Sequence, residues 1–145
     1  MTLNTSPLSP SQRAVLDDAL RLVREQRQRA EAEDAALAPA DAWTTPFGLG
    51  YLLGAIDGLC QVHGAPFDAM ALAVYGLVLD DTFGRPQGDR LRERGLDLLE
   101  AEDADFSRGR PWGGNEAIGL AKGQHVPVGL VHLAHGREDR MGGMA

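Results

Sequence analysis

The feature that most constrains this chain is a nearly uncharged segment, residues 47–63, with a row of three glycines spaced four apart. On an α-helix, positions four apart lie on the same face. Each glycine weakens an isolated helix by about 1 kcal/mol relative to alanine. Three of them on one face therefore need a packing reason, and the simplest is another backbone in close contact. The row consists of Gly50, Gly54 and Gly58.

The residues that flank this segment also favour a helix. Pro46 suits a first helical turn, where a missing N–H costs nothing, and Gly64 suits the left-handed residue that ends many helices. The segment is shorter than the roughly 20 residues that a membrane span requires, so no membrane span is predicted. We expect a central helix that is buried on both sides.

Composition narrows the class of protein. The chain has 145 residues, of which 43% are hydrophobic, and this suits one domain with one core. A net charge of -7, with no basic residue between Arg29 and Arg85, argues against nucleic acid as a partner, because phosphate binding needs clustered Lys and Arg. Cys60 is the only cysteine and the N-terminal sequence lacks a secretory signal pattern. Both features predict a cytoplasmic location.

The spacing of apolar and helix-ending residues predicts an all-α fold. We expect a four-helix-bundle-like single domain over residues 9–136, with a central antiparallel helical hairpin and a glycine-rich C-terminal segment that wraps the bundle. Residues 1–8 and 137–145 are predicted to be disordered. The predicted helices begin at Pro10, Pro46, Pro66 and Pro86.

The first helix is predicted to have a polar second half. Ser9 and Gln12, with a proline between them, form a capping-box pattern at its start. Its apolar stripe reaches Val23, after which residues 24–34 interleave acidic and basic side chains. This half is predicted to project into solvent. Trp43, in the connector that follows, is predicted to fill one end of the core.

The third helix carries a second face of small residues, and the short Gly64-Ala65 link joins it to the central helix. If the two helices meet through only one small-residue strip, the other is free to bury against a second copy of the chain. A homodimer built on this hairpin is therefore predicted. The alternative is a monomer in which residues 126–133 cover the strip. The second strip consists of Ala69, Ala73 and Gly76.

The C-terminal part, residues 106–136, is rich in glycine with scattered apolar side chains. Asn115 is predicted to cap a short helix that ends at Lys122. Residues 126–133 fit either a short helix or a strand, and a helix ending at Gly136 is favoured.

The first candidate site is a group of aspartates. Asp80 and Asp81 lie at a helix end, where the helix dipole disfavours negative charge, and Asp57 lies on the preceding helix. Together they could bind a divalent cation or act as a general base. The alternative, which we favour, is ion pairing with Arg85, Arg90 or an arginine of another helix.

The second candidate is metal binding by Cys60 with His63 and by His132 with His135. Residues three apart lie on one side of a helix and can share a zinc ion. The two pairs are far apart in sequence, however, and no Cys-x-x-Cys is present. We therefore predict packing and helix-capping roles, with no metal and no cofactor. Burial of Cys60 would also raise its pKa and disfavour a nucleophilic role.

The third candidate is an anion site in residues 108–115, RGRPWGGN. Arginines, consecutive glycines and a helix N-terminus can together form a phosphate or carboxylate pocket, although the P-loop spacing is absent. The favoured alternative is a structured loop with its tryptophan inserted into the bundle. The candidate ligand-binding residues are Arg108, Arg110, Trp112, Gly113 and Gly114.

For function, the sequence favours a small acidic cytosolic protein that acts without catalysis through a protein partner, as an adaptor, regulatory or immunity-type module. The alternative is a domain or enzyme that binds a small molecule or anion through Arg108, Arg110 and the aspartates. Surface shape distinguishes them. A flat apolar patch would support interaction, and a concave pocket uniting Arg110 with Asp57 or Asp80 would support ligand binding.

Overall fold

In the computed structural model, which describes residues 8–34, 42–124 and 126–136, the chain is all-α, and these ranges contain no strand. The predicted fold class is confirmed. None of the helices in these ranges is long and apolar enough to cross a membrane. In chain order the helices are α1 Pro10–Glu33, α2 Pro46–His63, α3 Ala69–Phe83, α4 Gln87–Glu100, α5 Ala104–Ala121 and α6 Gly129–Ala134.

Side chains at the helix ends explain where α1 and α2 start and stop. The capping box of α1 is confirmed, since the Ser9 hydroxyl accepts from the Gln12 backbone N–H at 3.2 Å and the Gln12 side chain accepts from the Ser9 N–H at 2.9 Å. Thr45 caps α2 by accepting from the backbone N–H of Gly48. Gly64 ends α2 with a φ of 68°, a conformation that favours glycine.

Aspartate caps shift two of the predicted boundaries. α3 begins at Ala69 rather than at Pro66, because the Asp68 carboxylate accepts from two backbone N–H groups of the first turn. Asp103 caps α5 in the same way by accepting from the N–H of Phe106 at 3.0 Å. The preceding helix, α4, therefore ends before Asp103 rather than at it.

The glycine-rich segment is the main correction to the predicted architecture. It does not wrap the bundle, because residues 104–121 form the regular helix α5, which continues through Pro111. Asn115 lies in the interior of this helix and does not cap it. The predicted C-terminal end is close to the observed one, with Lys122 as the C-cap residue.

Helix α5 supplies the close backbone contact that the glycine row of α2 requires. A Cβ atom added to any of the three glycines would collide with or crowd a carbonyl oxygen of α5. The contacts advance by four residues on both helices together, so α2 and α5 run in the same direction. The contacting pairs are Gly50 with Phe106, Gly54 with Arg110, and Gly58 with Gly114.

The contact is reciprocal, because α5 also presents glycines to α2. Gly109 and Gly113 lie against the backbone carbonyls of Phe47 and Tyr51, where a Cβ atom would collide. Two backbones at this separation gain dispersion contacts and Cα–H···O=C interactions. These contacts offset the poor helix propensity of glycine and proline. A segment with a loop-like composition is therefore a helix.

The second small-residue strip does not pack on the first. Helix α3 packs more extensively against α4 and α1 than against α2, and a Cβ atom on Gly76 would meet the side chain of Arg92 in α4. Tyr75 still ties α3 to α2, because its hydroxyl donates to the Leu49 carbonyl at 2.9 Å. The predicted four-helix bundle around an α2–α3 hairpin is not confirmed, since the main partner of α2 is α5.

The second half of α1 is not the solvent-projecting arm that was predicted. Gln26 and Ala30 are fully buried. Arg27 donates to the carbonyl of Thr82 at 2.9 Å, and Arg29 donates to the carbonyl of Pro127. Arg27 and Arg29 are attached to other elements by these contacts, and the prediction is wrong at these four positions.

Helix α6 settles the helix-or-strand ambiguity of residues 126–133 in favour of a helix, and buried polar side chains anchor it. Gln26 accepts from the backbone N–H of Leu130 at 2.7 Å. Glu116 accepts from the N–H groups of the two preceding residues, both at 2.8 Å. The N–H groups at the start of a helix have no partner within the helix. Two side chains from other helices therefore satisfy the N-terminus of α6.

Tyr51 joins these two anchors into one buried network. Its hydroxyl donates to Glu116 and accepts from the side-chain amide of Gln26 at 3.0 Å. Burial raises the pKa of Tyr51, and the Glu116 carboxylate raises it further, so the hydroxyl stays protonated. Trp43 is fully buried in the core, as predicted, and its indole N–H donates to the carbonyl of Leu130 at 2.9 Å.

Several predictions on the chain ends and the connector lie outside the described residues. They concern residues 1–7, 35–41 and 137–145. Leu8, predicted to belong to a disordered N-terminus, is described and is only 7% exposed. It packs into the core beside the start of α1.

Candidate functional site

A groove open to solvent lies where α2 and α5 meet, and its volume is about 300 Å³. Each helix contributes one face, and the polar side chains of the two faces lie opposite each other across the groove. This is the kind of concave surface that small-molecule sites use. Its lining is Gly54, Asp57, Gly58 and Gln61 from α2, with Ser107, Arg110, Pro111, Gly114, Asn115 and Ile118 from α5.

The glycine contact creates this groove. Gly54, Gly58 and Gly114 lie both in the backbone contact and in the groove lining. Because they have no side chains, the two backbones meet at the floor while longer side chains on either side form the walls. Wall residues mounted on two closely packed helices are held in fixed relative positions.

Arg110 and Asp57 face each other across the groove and carry its charge. Nη2 of Arg110 lies 3.6 Å from Oδ2 of Asp57, and both side chains are about one-third exposed, at 31% and 34%. The guanidinium also lies 5.9 Å from the ring centroid of Phe67, within the range of a cation–π interaction. Nε of Arg110 is shielded from solvent and has no hydrogen-bond acceptor among the described residues. The guanidinium is thus held in place but incompletely paired.

Pro111 adds an acceptor to the same wall. Proline has no N–H, so the carbonyl of Ser107, one turn earlier in α5, lacks the donor that a helix normally supplies. Both residues line the groove. The side chains of Gln61 and Asn115 add neutral donors and acceptors. The groove therefore combines one cation, one anion and several neutral hydrogen-bonding groups.

Cys60 lies one turn from Asp57 but faces the core, where it is 3% exposed. Burial, with smaller contributions from the charges of Asp57 and Asp68, raises the pKa of the Cys60 thiol to about 11. Nucleophilic cysteines need a lowered pKa and access to solvent. This cysteine is therefore a packing residue.

The anion site predicted in residues 108–115 is not assembled as such. The segment lies inside α5 and not at a helix N-terminus, so Arg108 and Arg110 project to different sides of the helix. Arg108 lies 3.6 Å from Asp105 and 5.3 Å from the ring centroid of Phe47. Of the predicted loop residues, Arg110 and Gly114 line the groove, Gly113 packs on α2, and Trp112 packs against the core.

The predicted aspartate group is divided among three places. Asp81 accepts two hydrogen bonds from Arg24 of α1, both at 3.0 Å, and Asp80 pairs with Arg85 at 3.0 Å. Asp57 alone lies in the groove. The ion-pair alternative thus describes Asp80 and Asp81, and the grouping of the three aspartates is wrong.

Two of the histidines, His63 and His135, lie beside carboxylates of α1. Nε2 of His63 is 2.7 Å from Asp18, and Nε2 of His135 is 2.7 Å from Glu33. Within the described ranges no group of three or more His, Cys, Asp or Glu side chains is arranged to hold a metal ion. His63 and Cys60 are therefore not part of such a group among the described residues, although their spacing in the sequence would allow both to contact one metal ion.

Sequence reasoning missed Ser107 and Gln61 as groove residues, and it placed Asn115 at a helix N-terminus rather than on a groove wall. Ser107 and Gln61 carry no motif, and only their spacing relative to Arg110 and Asp57 on a known helix pair would have shown them. Comparison with protein-family models, curated proteins and solved structures finds no match to this chain. Its function therefore has to be inferred from its own geometry.

Proposed function

We propose that this protein is a non-enzymatic binding protein whose groove between α2 and α5 takes a small polar molecule. The observation that carries the proposal is the presence of Arg110 and Asp57 in one solvent-open concavity of about 300 Å³. Of the two surface shapes that distinguish the candidate functions, this is the one that favours ligand binding. Its size is at the lower end for small-molecule sites, which restricts the ligand to a small one.

The composition of the groove supports binding rather than catalysis. The described residues of its lining include no cysteine, histidine, lysine or tyrosine, which are frequent nucleophiles and proton-transfer groups. Asp57 has Arg110 as its nearest ionic partner.

The test is a nuclear magnetic resonance titration of the isotopically labelled protein with a mixture of small polar compounds. The mixture contains carboxylic acids, amines, free amino acids and sugars. We expect at least one compound to shift the backbone amide signals of the groove floor, above all those of Gly54, Gly58 and Gly114. No shift confined to the groove, with any compound at millimolar concentration, would contradict the proposal.

Matched variants separate groove binding from general charge effects. Arg110→Gln removes the groove cation, and Arg108→Gln removes a neighbouring arginine that is outside the groove. Likewise Asp57→Asn changes the groove, and Asp105→Asn does not. Binding should weaken at least about tenfold in the first variant of each pair and remain unchanged in the second.

A protein partner is the second candidate, and one observation favours it. Phe67 is 38% exposed and lies against Arg110 beside the groove, and aromatic and arginine side chains are frequent anchors of protein interfaces. Selection of displayed random peptides on the protein would test it. Peptides whose binding is lost in both Phe67→Ala and Arg110→Gln would support a peptide-binding groove, and enrichment of none would count against it.

A homodimer and a cytoplasmic location stay predictions. The dimer was inferred from whichever of the two small-residue strips the hairpin leaves free, and α5 covers the strip of Gly50, Gly54 and Gly58 within one chain. A dimer would therefore have to use the second strip or another surface. Light scattering distinguishes a mass of 15.5 kDa from twice that value.

A further inference from the structure

The charges in the groove constrain which small polar molecule it can take. Among the described residues that line it, Arg110 and Asp57 are the only ionisable side chains, and together they are neutral. A ligand with a net charge would leave one of them opposed by a like charge. A ligand that carries both charges satisfies both residues.

The Arg110–Asp57 contact is loose enough to be exchanged for a ligand. Arginine–carboxylate pairs with good geometry have N···O distances of about 2.7–2.9 Å and are often bidentate. This pair has one contact at 3.6 Å, with both side chains about one-third exposed. Such exposed pairs contribute little to stability. The guanidinium has five N–H donors, and its contact with Asp57 at 3.6 Å is longer than a hydrogen bond, so it has unused capacity for a carboxylate.

We infer that the ligand is a zwitterion of the free α-amino acid type, with its carboxylate on Arg110 and its ammonium group on Asp57. This inference rests on the proposed ligand-binding function of the groove and specifies its ligand class. The two side chains are close together, so the ligand charges must also be close, as they are on the two substituents of one carbon atom. The Ser107 carbonyl, left without a helical donor by Pro111, offers the ammonium group a second acceptor.

The remaining lining residues fit the side chain of such a ligand. Gln61 and Asn115 can donate to and accept from a neutral polar group, and Ile118 gives one apolar contact. The groove volume of about 300 Å³ accommodates a single amino acid. The ring of Phe67 lies beside Arg110, with its centroid 5.9 Å from the guanidinium carbon, within the range of a cation–π interaction.

The test compares probes that differ by one charge. L-glutamine, L-serine and L-alanine are the zwitterions, N-acetyl-L-glutamine keeps only the carboxylate, and L-glutaminamide keeps only the ammonium group. Binding is followed through the amide signals of the groove floor, at constant ionic strength. We expect at least one free amino acid to bind, and removal of either charge from L-glutamine to weaken its binding at least about tenfold.

Variants of Asp57 and Arg110 show which of the two residues binds which charge of the ligand. In Asp57→Asn, the preference for L-glutamine over its N-acetyl form should be much smaller than in the unmodified protein, because only neutral acceptors, such as the Ser107 carbonyl, then face the ammonium group. In Arg110→Gln, L-glutamine and its amide should bind equally well. Each comparison is equivalent to a double-mutant cycle, in which one change in the protein and one change in the ligand remove the same contact. Circular dichroism and the melting temperature check that each variant is folded, and the probe comparison on the unmodified protein needs no variant.

The possible failures are distinguishable. If single-charge probes bind in the groove as tightly as the free amino acids, or if none of the free amino acids binds while another polar compound does, the zwitterion inference is wrong and the binding groove stands. If no compound shifts the groove signals, both the inference and the proposed function are wrong.

Discussion

At the scale of single residues, glycine has two different roles in this protein, and the difference can be measured. Gly54 faces the backbone of Arg110, which cannot move without separating α2 from α5. Gly76 faces the Arg92 side chain, with its Cδ 2.7 Å from an added Cβ atom. A side chain can move aside, and alanine favours the helix by about 1 kcal/mol.

We therefore expect opposite outcomes for the same substitution. Gly54→Ala should lower the free energy of unfolding by about 1–3 kcal/mol, the usual cost of overpacking, and Gly54→Leu should lower it more. Gly76→Ala is the matched control and should be neutral or slightly stabilising. Urea denaturation measures both. Equal midpoints for Gly54→Ala and the unmodified protein would show that α2 and α5 are not in backbone contact.

A second residue-scale prediction concerns alkaline pH. The pKa of Cys60 is raised from 9.0 to about 11, and burial also raises the pKa of Tyr75. In both cases the folded state favours the neutral form. Their contribution to stability is therefore fully present below the unfolded-state pKa and is lost as the pH rises toward the folded-state pKa. The free energy of unfolding should fall between about pH 9 and about pH 11.

The variant Cys60→Ala checks this origin. It should be less stable than the unmodified protein at neutral pH, since a buried side chain is shortened, but its stability should fall less steeply above pH 9. Urea midpoints across the alkaline range give the slope. An identical slope in the two proteins would mean that Cys60 does not contribute to the loss.

The sequence predicts which residues need a close backbone contact better than it predicts which helix supplies that contact. The glycine row of α2 correctly predicts a close backbone contact, because glycine has few other uses on one face of a buried helix. It does not identify the partner helix. Arg110 and Asp57 were both candidate residues, but their contact depends on the register of α5 against α2, which local spacing does not determine.

At the scale of helices, α6 is held by side chains rather than by its own length. It has 6 residues, too few to be stable alone. Glu116 and Gln26 satisfy its N-terminal N–H groups. Its stability should therefore depend on these two distant positions.

Glu116→Gln tests this dependence. The carboxylate accepts from Val128, Gly129 and the Tyr51 hydroxyl. An amide has only one oxygen, so its NH₂ group would face a donor. We expect a loss of about 1–3 kcal/mol and faster hydrogen exchange in residues 128–134. Exposed Glu100→Gln is the control and should leave exchange unchanged, and unaltered exchange in Glu116→Gln would contradict the anchoring role.

The predictions for residues 104–121 and for the second half of α1 were wrong for two different physical reasons. Residues 104–121 have glycines and a proline that oppose helix formation in isolation, and only the contact with α2 offsets this. In α1, Gln26 and Ala30 continue the apolar stripe from Leu22 at four-residue spacing, so a signal was present. The charged residues between them obscured it.

At the scale of the whole molecule, the last described helix, α6, covers part of the hydrophobic core. Leu130, Val131 and Leu133 are at most 4% exposed, and Trp43 reaches α6 through its indole N–H. The predicted monomer alternative, in which residues 126–133 cover the free small-residue strip, is not what α6 does, since α6 packs mainly against α1 and α5. It covers the buried network of Gln26, Tyr51 and Glu116 instead.

Truncation should therefore have sharply different effects at two nearby positions. A chain ending at Gly123 loses α6, so buried Gln26 and Glu116 lose the backbone N–H donors of residues 128–131. Apolar core surface is also exposed, so we expect a loss of about 3 kcal/mol or more together with aggregation. A chain ending at Gly136 keeps every contact described above and should have an unchanged melting temperature. Calorimetry and light scattering on the two truncated chains make the comparison. If the chain ending at Gly123 melts at the same temperature as the longer one, α6 is dispensable and the buried network does not stabilise the fold.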